Sequence, residues 1–322
     1  MQKIKKYFKF LYNNFFISPN VAVIMYHRIF NARGELLGPN EYTVNPNTFE
    51  QHLNFFQNNY NIISSEELYN GIKEKNKTLN KSIVITFDDG FKDTYTKALP
   101  ILEKYEIPAT VFVSVNLIEE DNPIEFELTE IIKSNSRLKI NYANIEKNYE
   151  LKDINSKRKC YQDLKGIVKH KKPKFRKKFL QSLRKQNDIN LKNKDNLIMD
   201  WNKCKELSKH PLITIGSHGM HHVPLTVFQS KSNQLKEIKK SKTELENKLN
   251  CQINLFSYPY GSFNNEIIDA CKKSKYKMAF STQPRLIHKE KSKGLFTLPR
   301  LEAPTTSLQE TNKVKVKLDK LK

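Results

Sequence analysis

Ser82-Ile-Val-Ile-Thr-Phe-Asp-Asp-Gly90 is the stretch on which the fold turns. Ser82 to Phe87 is apolar without alternation, the mark of a strand buried on both faces, and it stops abruptly on two carboxylates and a glycine. The amphipathic stretch Lys92 to Glu106 and the apolar run Ala109 to Val115 complete a β-α-β unit, with Pro108 punctuating the helix end. In such a unit the strands are parallel and their carboxyl ends share one rim. Asp88 and Asp89 therefore stand at the end where barrels place their chemistry.

The same alternation of short β-branched runs and amphipathic stretches extends in both directions. Upstream lie a strand at Val21 to Tyr26, a helix at Asn47 to Tyr60 with Phe49, Leu53 and Phe56 at helical spacing, and a short helix at Glu66 to Ile72. Downstream, a helix at Trp201 to Lys209 precedes the strand Leu212 to Gly216, which delivers Ser217-His-Gly-Met-His-His222 at its end. A long polar helix, Lys231 to Asn250, leads to Leu255-Phe-Ser-Tyr-Pro-Tyr-Gly261. A helix at Asn265 to Lys273, a strand at Lys277 to Ser281 and a last barrel strand at Leu295 to Leu301 follow. Residues 116 to 198 break the rhythm with high charge and few glycines, and read as a helical insertion. The expected organisation is an α/β barrel domain over 21–304, a basic aromatic segment at 1–20 and a frayed, lysine-rich tail at 305–322.

A chain of 322 residues, 38% of them hydrophobic and 28% charged, is long enough to bury a sizeable core and describes a soluble globular protein. Its formal charge of +22 raises the question of an anionic partner, such as nucleic acid, lipid head groups or an acidic glycan. Part of the excess is local. Lys169-His-Lys-Lys-Pro-Lys-Phe-Arg-Lys-Lys178 lies inside the insertion and reads first as a solvated helix face. Cys160, Cys204, Cys251 and Cys271 show no C-x-x-C spacing and read as reduced thiols. The N-terminus is basic and aromatic, but Lys9, Asn13 and Asn14 interrupt its apolar run, and no small-residue cleavage site follows. No stretch reaches the about 20 apolar residues of a membrane span. The expected location is the cytoplasm, with a peripheral position at the inner membrane face or export as alternatives.

Two adjacent carboxylates at a strand end point to different sides, so one can bind a metal while its neighbour faces substrate and accepts a proton from water. The plainer reading is a turn. His218 and His222 lie four residues apart, so on one helical turn their imidazoles face the same way and can share an ion; on an extended backbone His221 replaces His222. Two histidines and one aspartate suit zinc or a similar divalent ion and leave positions open, as a catalytic site requires. His52, His170, His210 and His288 fall at no strand end with partners and read as structural or surface residues.

Thr86-Phe-Asp-Asp-Gly90 and Gly216-Ser-His-x-x-x-His222 resemble, in order and separation, the first two motifs of the polysaccharide deacetylases, the NodB-homology or carbohydrate esterase family 4. The resemblance implies a distorted (β/α)7 barrel, Asp88 as general base, and Asp89, His218 and His222 as ligands of a divalent metal, Zn²⁺ first with Ni²⁺, Co²⁺ or Mn²⁺ as alternatives. Phe256-Ser-Tyr-Pro-Tyr-Gly261 is similar to the third motif, which gives Tyr260 the place of the residue whose backbone N–H faces the oxyanion. Many members carry at Ser257 an arginine that orients the base, and here Arg300 is the candidate substitute. Val23-Ile-Met-Tyr-His-Arg-Ile29 looks like the late histidine strand moved to the front, as in the circularly permuted subgroup of the poly-N-acetylglucosamine deacetylases, and this makes His27 the general acid. The resemblance covers most of residues 21 to 304 and matches the insertion only weakly. It implies a metal-dependent N-deacetylase of hexosamine units in a surface polysaccharide, glycolipid or lipid-linked precursor, with no specific nucleic-acid partner. An O-deacetylase using the same residues and a silent glycan- or anion-binding protein are the rival readings.

Overall fold

The computed structural model describes residues 20–31, 37–38, 42–74, 79–120, 123–189, 197–288 and 294–305. The expected N-terminal segment and the lysine-rich tail fall almost wholly outside them. The elements in chain order begin with β1 (Asn20–Tyr26), α1 (Pro46–Asn59), β2 (Asn61–Ile62), α2 (Ser65–Lys73) and β3 (Ser82–Phe87). A π-helical turn at Thr94–Ala98 runs into α3 (Leu99–Lys104), followed by β4 (Ala109–Val113), α4 (Val115–Glu120) and α5 (Ile124–Lys133). Next come β5 (Arg137–Tyr142), β6 (Ile145–Glu150), α6 (Ile154–Lys169), α7 (Pro173–Gln186), α8 (Trp201–Lys209), β7 (Ile213–Ser217) and α9 (Lys231–Leu249). The chain closes with β8 (Leu255–Ser257), α10 (Asn265–Lys273), β9 (Met278–Phe280), β10 (Ile287–His288) and β11 (Leu301–Glu302).

Local chemistry explains the boundaries. Asn45 caps α1 by accepting from the Asn47 N–H, and Ser64 with Glu67 forms the reciprocal capping box that opens α2. The π-helical turn ends two residues before Pro100, which has no N–H to give to an α-helical ladder.

Strands β1, β3, β4, β7, β8 and β9 pair side by side and parallel, with β2 beside the start of β3 and β10 antiparallel to β1. The curled sheet is joined across its ends by residues 298–302. Leu298 bridges Phe280 on one side, and Leu301 pairs with Ile24 on the other. The expected last strand, Leu295 to Leu301, thus shrinks to two paired residues and one bridge, because Pro299 cannot donate to a ladder. The mixed α/β architecture with its curled parallel sheet is the expected NodB-type barrel. Ile24, Ile85, Val111, Ile215 and Phe256 belong to its main core.

Gly216 lies where β7 presses on β4. A Cβ there would stand 2.4 Å from the Phe112 ring and 3.2 Å from the Leu255 carbonyl oxygen. Gly216→Ala is expected to cost about 1–3 kcal/mol, as overpacking does, with urea denaturation as the measurement.

The insertion is not purely helical. β5 and β6 form an antiparallel hairpin, with Leu138 and Ile140 buried between exposed Arg137, Lys139 and Asn141. That two-residue period is short and set among charges, which hid it in the sequence. The hairpin packs with α5, α6 and α7 around a second apolar cluster that includes Leu128, Ile131, Leu164 and Phe179. None of the four cysteines is paired, and burial pushes the Cys204 and Cys271 thiols up to about 12, which leaves them inert. No helix among the described residues is long and apolar enough to cross a membrane.

Candidate active site

Parallel register assembles the site. Tyr26 pairs with Phe87, so His27 and Asp88 leave adjacent strand ends side by side, and the Asp88 N–H donates to the Tyr26 carbonyl at 2.9 Å. Val113 pairs with Ser217 and Ser217 with Phe256, which brings His218 and Ser257 to the same rim. The chain then turns sharply. Asp89 and Gly90 have φ of 72° and 77°, a left-handed kink that aims the two neighbouring carboxylates apart.

Asp88, 2% exposed, is gripped by Arg300. Nη1 donates to Oδ1 at 2.7 Å and Nη2 to Oδ2 at 2.6 Å. Nη2 also donates to Ser257 Oγ at 2.7 Å, and that hydroxyl donates to Asp88 Oδ2 at 3.3 Å. Arg300 is itself anchored through Nε to the Ser281 carbonyl at 3.0 Å. Burial would raise the Asp88 carboxyl, but the Arg300 guanidinium, with His218 beside it, outweighs burial and holds the group below the usual carboxylate range. The serine that stands where an arginine was missed in the sequence thus still touches the carboxylate.

Asp89, His218 and His222 converge on one point, their donor atoms all within 4.8 Å of one another. Asp89 Oδ1 lies 3.3 Å from His218 Nε2 and 3.0 Å from His222 Nε2. These separations fit donors around a small tetrahedral ion, which at bond lengths of about 2.1 Å stand roughly 3.4 Å apart. Asp89 Oδ1 is buried and engages in no properly directed hydrogen bond, as an atom reserved for a cation would be. The other nitrogen of His218, Nδ1, lies 2.8 Å from the Ser257 carbonyl, which fixes that nitrogen as the N–H and turns the Nε2 lone pair toward Asp89. The donor set therefore fits a divalent metal.

The two histidines do not share a helical turn. Residues 218–222 form a bent loop, with Gly219 at φ 81° and His222 at φ 46°. His221 points away and pairs through Nδ1 with Glu237 Oε2 at 2.8 Å, while Glu237 Oε1 accepts from the N–H groups of Met220 and His221 at 3.1 and 2.9 Å. Glu237, buried on α9, shapes the loop and carries no sequence signal beyond its place in a polar helix. Glu237→Ala should weaken metal binding about 10- to 100-fold, as measured by competition with a chromophoric chelator.

Two more buried pairs frame the site. Arg28 Nε donates to Asp93 at 2.7 Å, and Asp93 accepts the Ile29 N–H at 3.0 Å, which locks the segment that carries half-buried His27. His27 lies close enough for its charge to lower the proton affinity of both Asp88 and Asp89. On the opposite side the insertion contributes Glu125 and Arg176. Tyr260 donates to Glu125, and Arg176 donates to Glu125 at 3.2 Å, to the Tyr260 hydroxyl at 3.1 Å and to the His222 carbonyl at 2.8 Å. Tyr260, in a turn at φ 57°, also sets its ring 5.1 Å from that of His222. The basic stretch is thus not a uniformly solvated face, since Arg176 is 6% exposed.

The remaining histidines lie apart from this centre where they are described. His52 is buried against the Tyr26 hydroxyl, and His210 pairs with Glu103 at the surface. Trp201 starts α8, with Lys248 over its ring.

A carboxylate held ready beside a cation-sized cradle, at the carboxyl rim of a parallel barrel, is the arrangement of a hydrolase. Residues 75–279 match the family model described as polysaccharide deacetylase, and the chain belongs to that family. It is accordingly a hydrolase acting on amide bonds of polysaccharides. YxkH of Bacillus subtilis (strain 168) is 23% identical over 282 residues, which cover 87% of this chain and 70% of that one. The poly-beta-1,6-N-acetyl-D-glucosamine N-deacetylase of Staphylococcus aureus (strain N315) is 32% identical over 81 residues, 25% of this chain and 28% of that enzyme. Among solved structures, the Streptococcus pyogenes deacetylase PplD in complex with acetate superposes with a TM-score of 0.60 at 20% identity, covering 91% of this chain and 97% of that one. IcaB from Ammonifex degensii gives 0.59 at 14% identity, covering 89% and 93%. These last two likenesses establish the shared fold.

Proposed function

We propose that this protein is a metal-dependent deacetylase that removes N-acetyl groups from hexosamine units of a surface polysaccharide, glycolipid or lipid-linked precursor. The observation that carries the reading is the pairing of two environments on adjacent residues: Asp89 faces two imidazoles across a cation-sized gap, and Asp88 is held by Arg300. Asp89, His218 and His222 would hold the metal. A divalent ion there would supply Lewis-acid polarisation of the acetyl carbonyl and lower the pKa of a nearby water.

The residues of the chain do the rest. Asp88 accepts a proton from water as the water oxygen adds to the acetyl carbon, and Arg300 keeps that carboxylate ionised and aimed. The Tyr260 backbone N–H faces the tetrahedral oxyanion. His27 gives a proton to the nitrogen, so that the C–N bond breaks to a neutral amine rather than an amide anion, and acetate is released. The 32% identity to a poly-N-acetylglucosamine N-deacetylase supports the choice of an N-acetylhexosamine.

The test is acetate release by the purified protein from N-acetylhexosamine oligomers and from O-acetylated glycans, before and after chelation and metal readdition. The expected result is release from the N-acetyl substrate that falls at least about tenfold on chelation and returns with a divalent ion. Release from O-acetyl glycans alone would replace the reading with an O-deacetylase, and no release from either would end it.

A further inference from the structure

Helix α7 gives the basic insertion a role that the reaction itself does not use. Pro173, Arg176, Lys177, Leu180, Gln181 and Arg184 recur at steps of three and four, so they form one stripe along the helix, while Phe179 and Leu183 turn into the insertion core. That stripe lines a pocket of about 210 Å³. The opposite wall is Asn116 and Leu117 from α4 and Ile124 and Glu127 from α5, and the pocket reaches His221 and His222. One of its ends is therefore a residue of the metal cradle.

The lining has a sign. Arg176, Lys177 and Arg184 face it with the carboxylate of Glu127, which pairs with Arg184. The Nε atoms of Arg176 and Arg184 are buried and find no acceptor among the described residues. Arg176 is fixed by Glu125, Tyr260 and the His222 carbonyl, so its guanidinium, offset by the Glu125 carboxylate, is held in place before any ligand arrives. With each arginine set against a carboxylate, Lys177 leaves the lining with a net positive charge. Asn116 and Gln181 add neutral polar groups, and Leu117, Ile124 and Leu180 an apolar floor, a mixture suited to a sugar ring.

We propose that this pocket is a subsite for an anionic substituent, a phosphate or a carboxylate, on the glycan unit next to the one that is deacetylated. The inference rests on the deacetylase reading for its orientation, and on the pocket alone for its charge. The guanidiniums of Arg176 and Arg184, fixed by their partners, and the exposed Lys177 ammonium beside them recognise phosphate and carboxylate oxygens by charge-assisted hydrogen bonds. The substrate class is thus narrowed from an N-acetylated glycan to an acidic one.

The experiment compares two matched substrates, a neutral N-acetylhexosamine oligomer and the same oligomer carrying a phosphomonoester on the adjacent unit. It uses the wild-type full chain and the double variant Lys177→Gln, Arg184→Gln. Calorimetric binding of both oligomers is measured beside turnover. Wild type should bind the phosphorylated oligomer at least about tenfold more tightly, with the preference expressed in KM, and the double variant should lose that preference. A sugar carboxylate in place of the phosphate separates the two anion sources by their relative affinities. Equal affinity of wild type for neutral and phosphorylated oligomers would overturn the proposal, as would a preference that survives in the double variant. Anionic lipid vesicles that bind more tightly than the phosphorylated oligomer, and lose binding in the same variant, would overturn it in favour of a lipid surface. Absence of turnover on both oligomers would tell against the deacetylase reading, while the binding comparison would still decide the subsite.

Discussion

Asp88→Asn is expected to lower kcat by about 10²- to 10⁴-fold, the usual contribution of a positioned general base, while metal content stays at the wild-type level. The substitution keeps the size of the side chain and removes its ability to take a proton. It also sets an amide against Arg300, so that one of two charge-assisted hydrogen bonds is lost. Metal content is the informative companion measurement. Asp88 Oδ2 lies 3.9 Å from His218 Nε2, farther than either imidazole nitrogen lies from Asp89 Oδ1. A variant that lost metal together with activity would make Asp88 a ligand, and one that kept activity within tenfold would place the base elsewhere.

Arg300→Met should destabilise the fold by about 3–5 kcal/mol, because removing one member of a buried ion pair leaves the other without compensation. Arg300 is 1% exposed and Asp88 2%, so water cannot replace the guanidinium. The Ser257 hydroxyl and the Ser281 carbonyl lose a donor in the same step. Arg300→Lys restores the charge without the planar fork and should recover part of the stability and little of the activity. Urea denaturation gives the first quantity and kcat the second. A methionine variant as stable as wild type would mean that Asp88 is neutral in the native protein, against the direction its surroundings impose.

Both predictions rest on a contact between residues 212 positions apart, and the two partners were not equally visible in the sequence. Asp88 announced itself, since an apolar strand ending in two carboxylates has few other readings. Arg300 had only a neighbouring proline and the absence of an arginine at position 257 to recommend it. The insertion was harder still. Arg176 sits in a lysine run whose composition speaks of solvent, yet its side chain passes inward to the His222 carbonyl. Glu125, Glu237 and Asp93 stand in stretches of mixed polar and apolar residues that give them no signal of their own. A carboxylate buried by packing from another element has the same one-dimensional environment as one facing water.

Periodicity did well where a single residue period held for a whole element. Trp201–Lys209 and Asn265–Lys273 have the bounds expected from their spacing and caps, and β3 ends where its apolar run ends. It did less well where elements are two or three residues long. The closing segment at 298–302 is defined by what lies on either side of it, Phe280 and Ile24, rather than by its own pattern. The same applies to the loop at 218–222, read as a helical turn from its spacing of four. Gly219 and His222 take left-handed conformations there because Glu237 holds the intervening N–H groups.

By itself, then, the amino-acid order determined the parallel α/β class and set Asp88, Asp89 and the 218–222 histidines at strand ends, because burial period and chain reversal are local properties. The tertiary structure decided which groups orient them: the Arg300 guanidinium on Asp88, the Ser257 carbonyl on His218, the Glu237 carboxylate on the loop and the Arg176 side chain behind Tyr260. Each of those contacts joins segments whose proximity depends on the curl of the sheet and the docking of the insertion, and neither is encoded within one window of sequence.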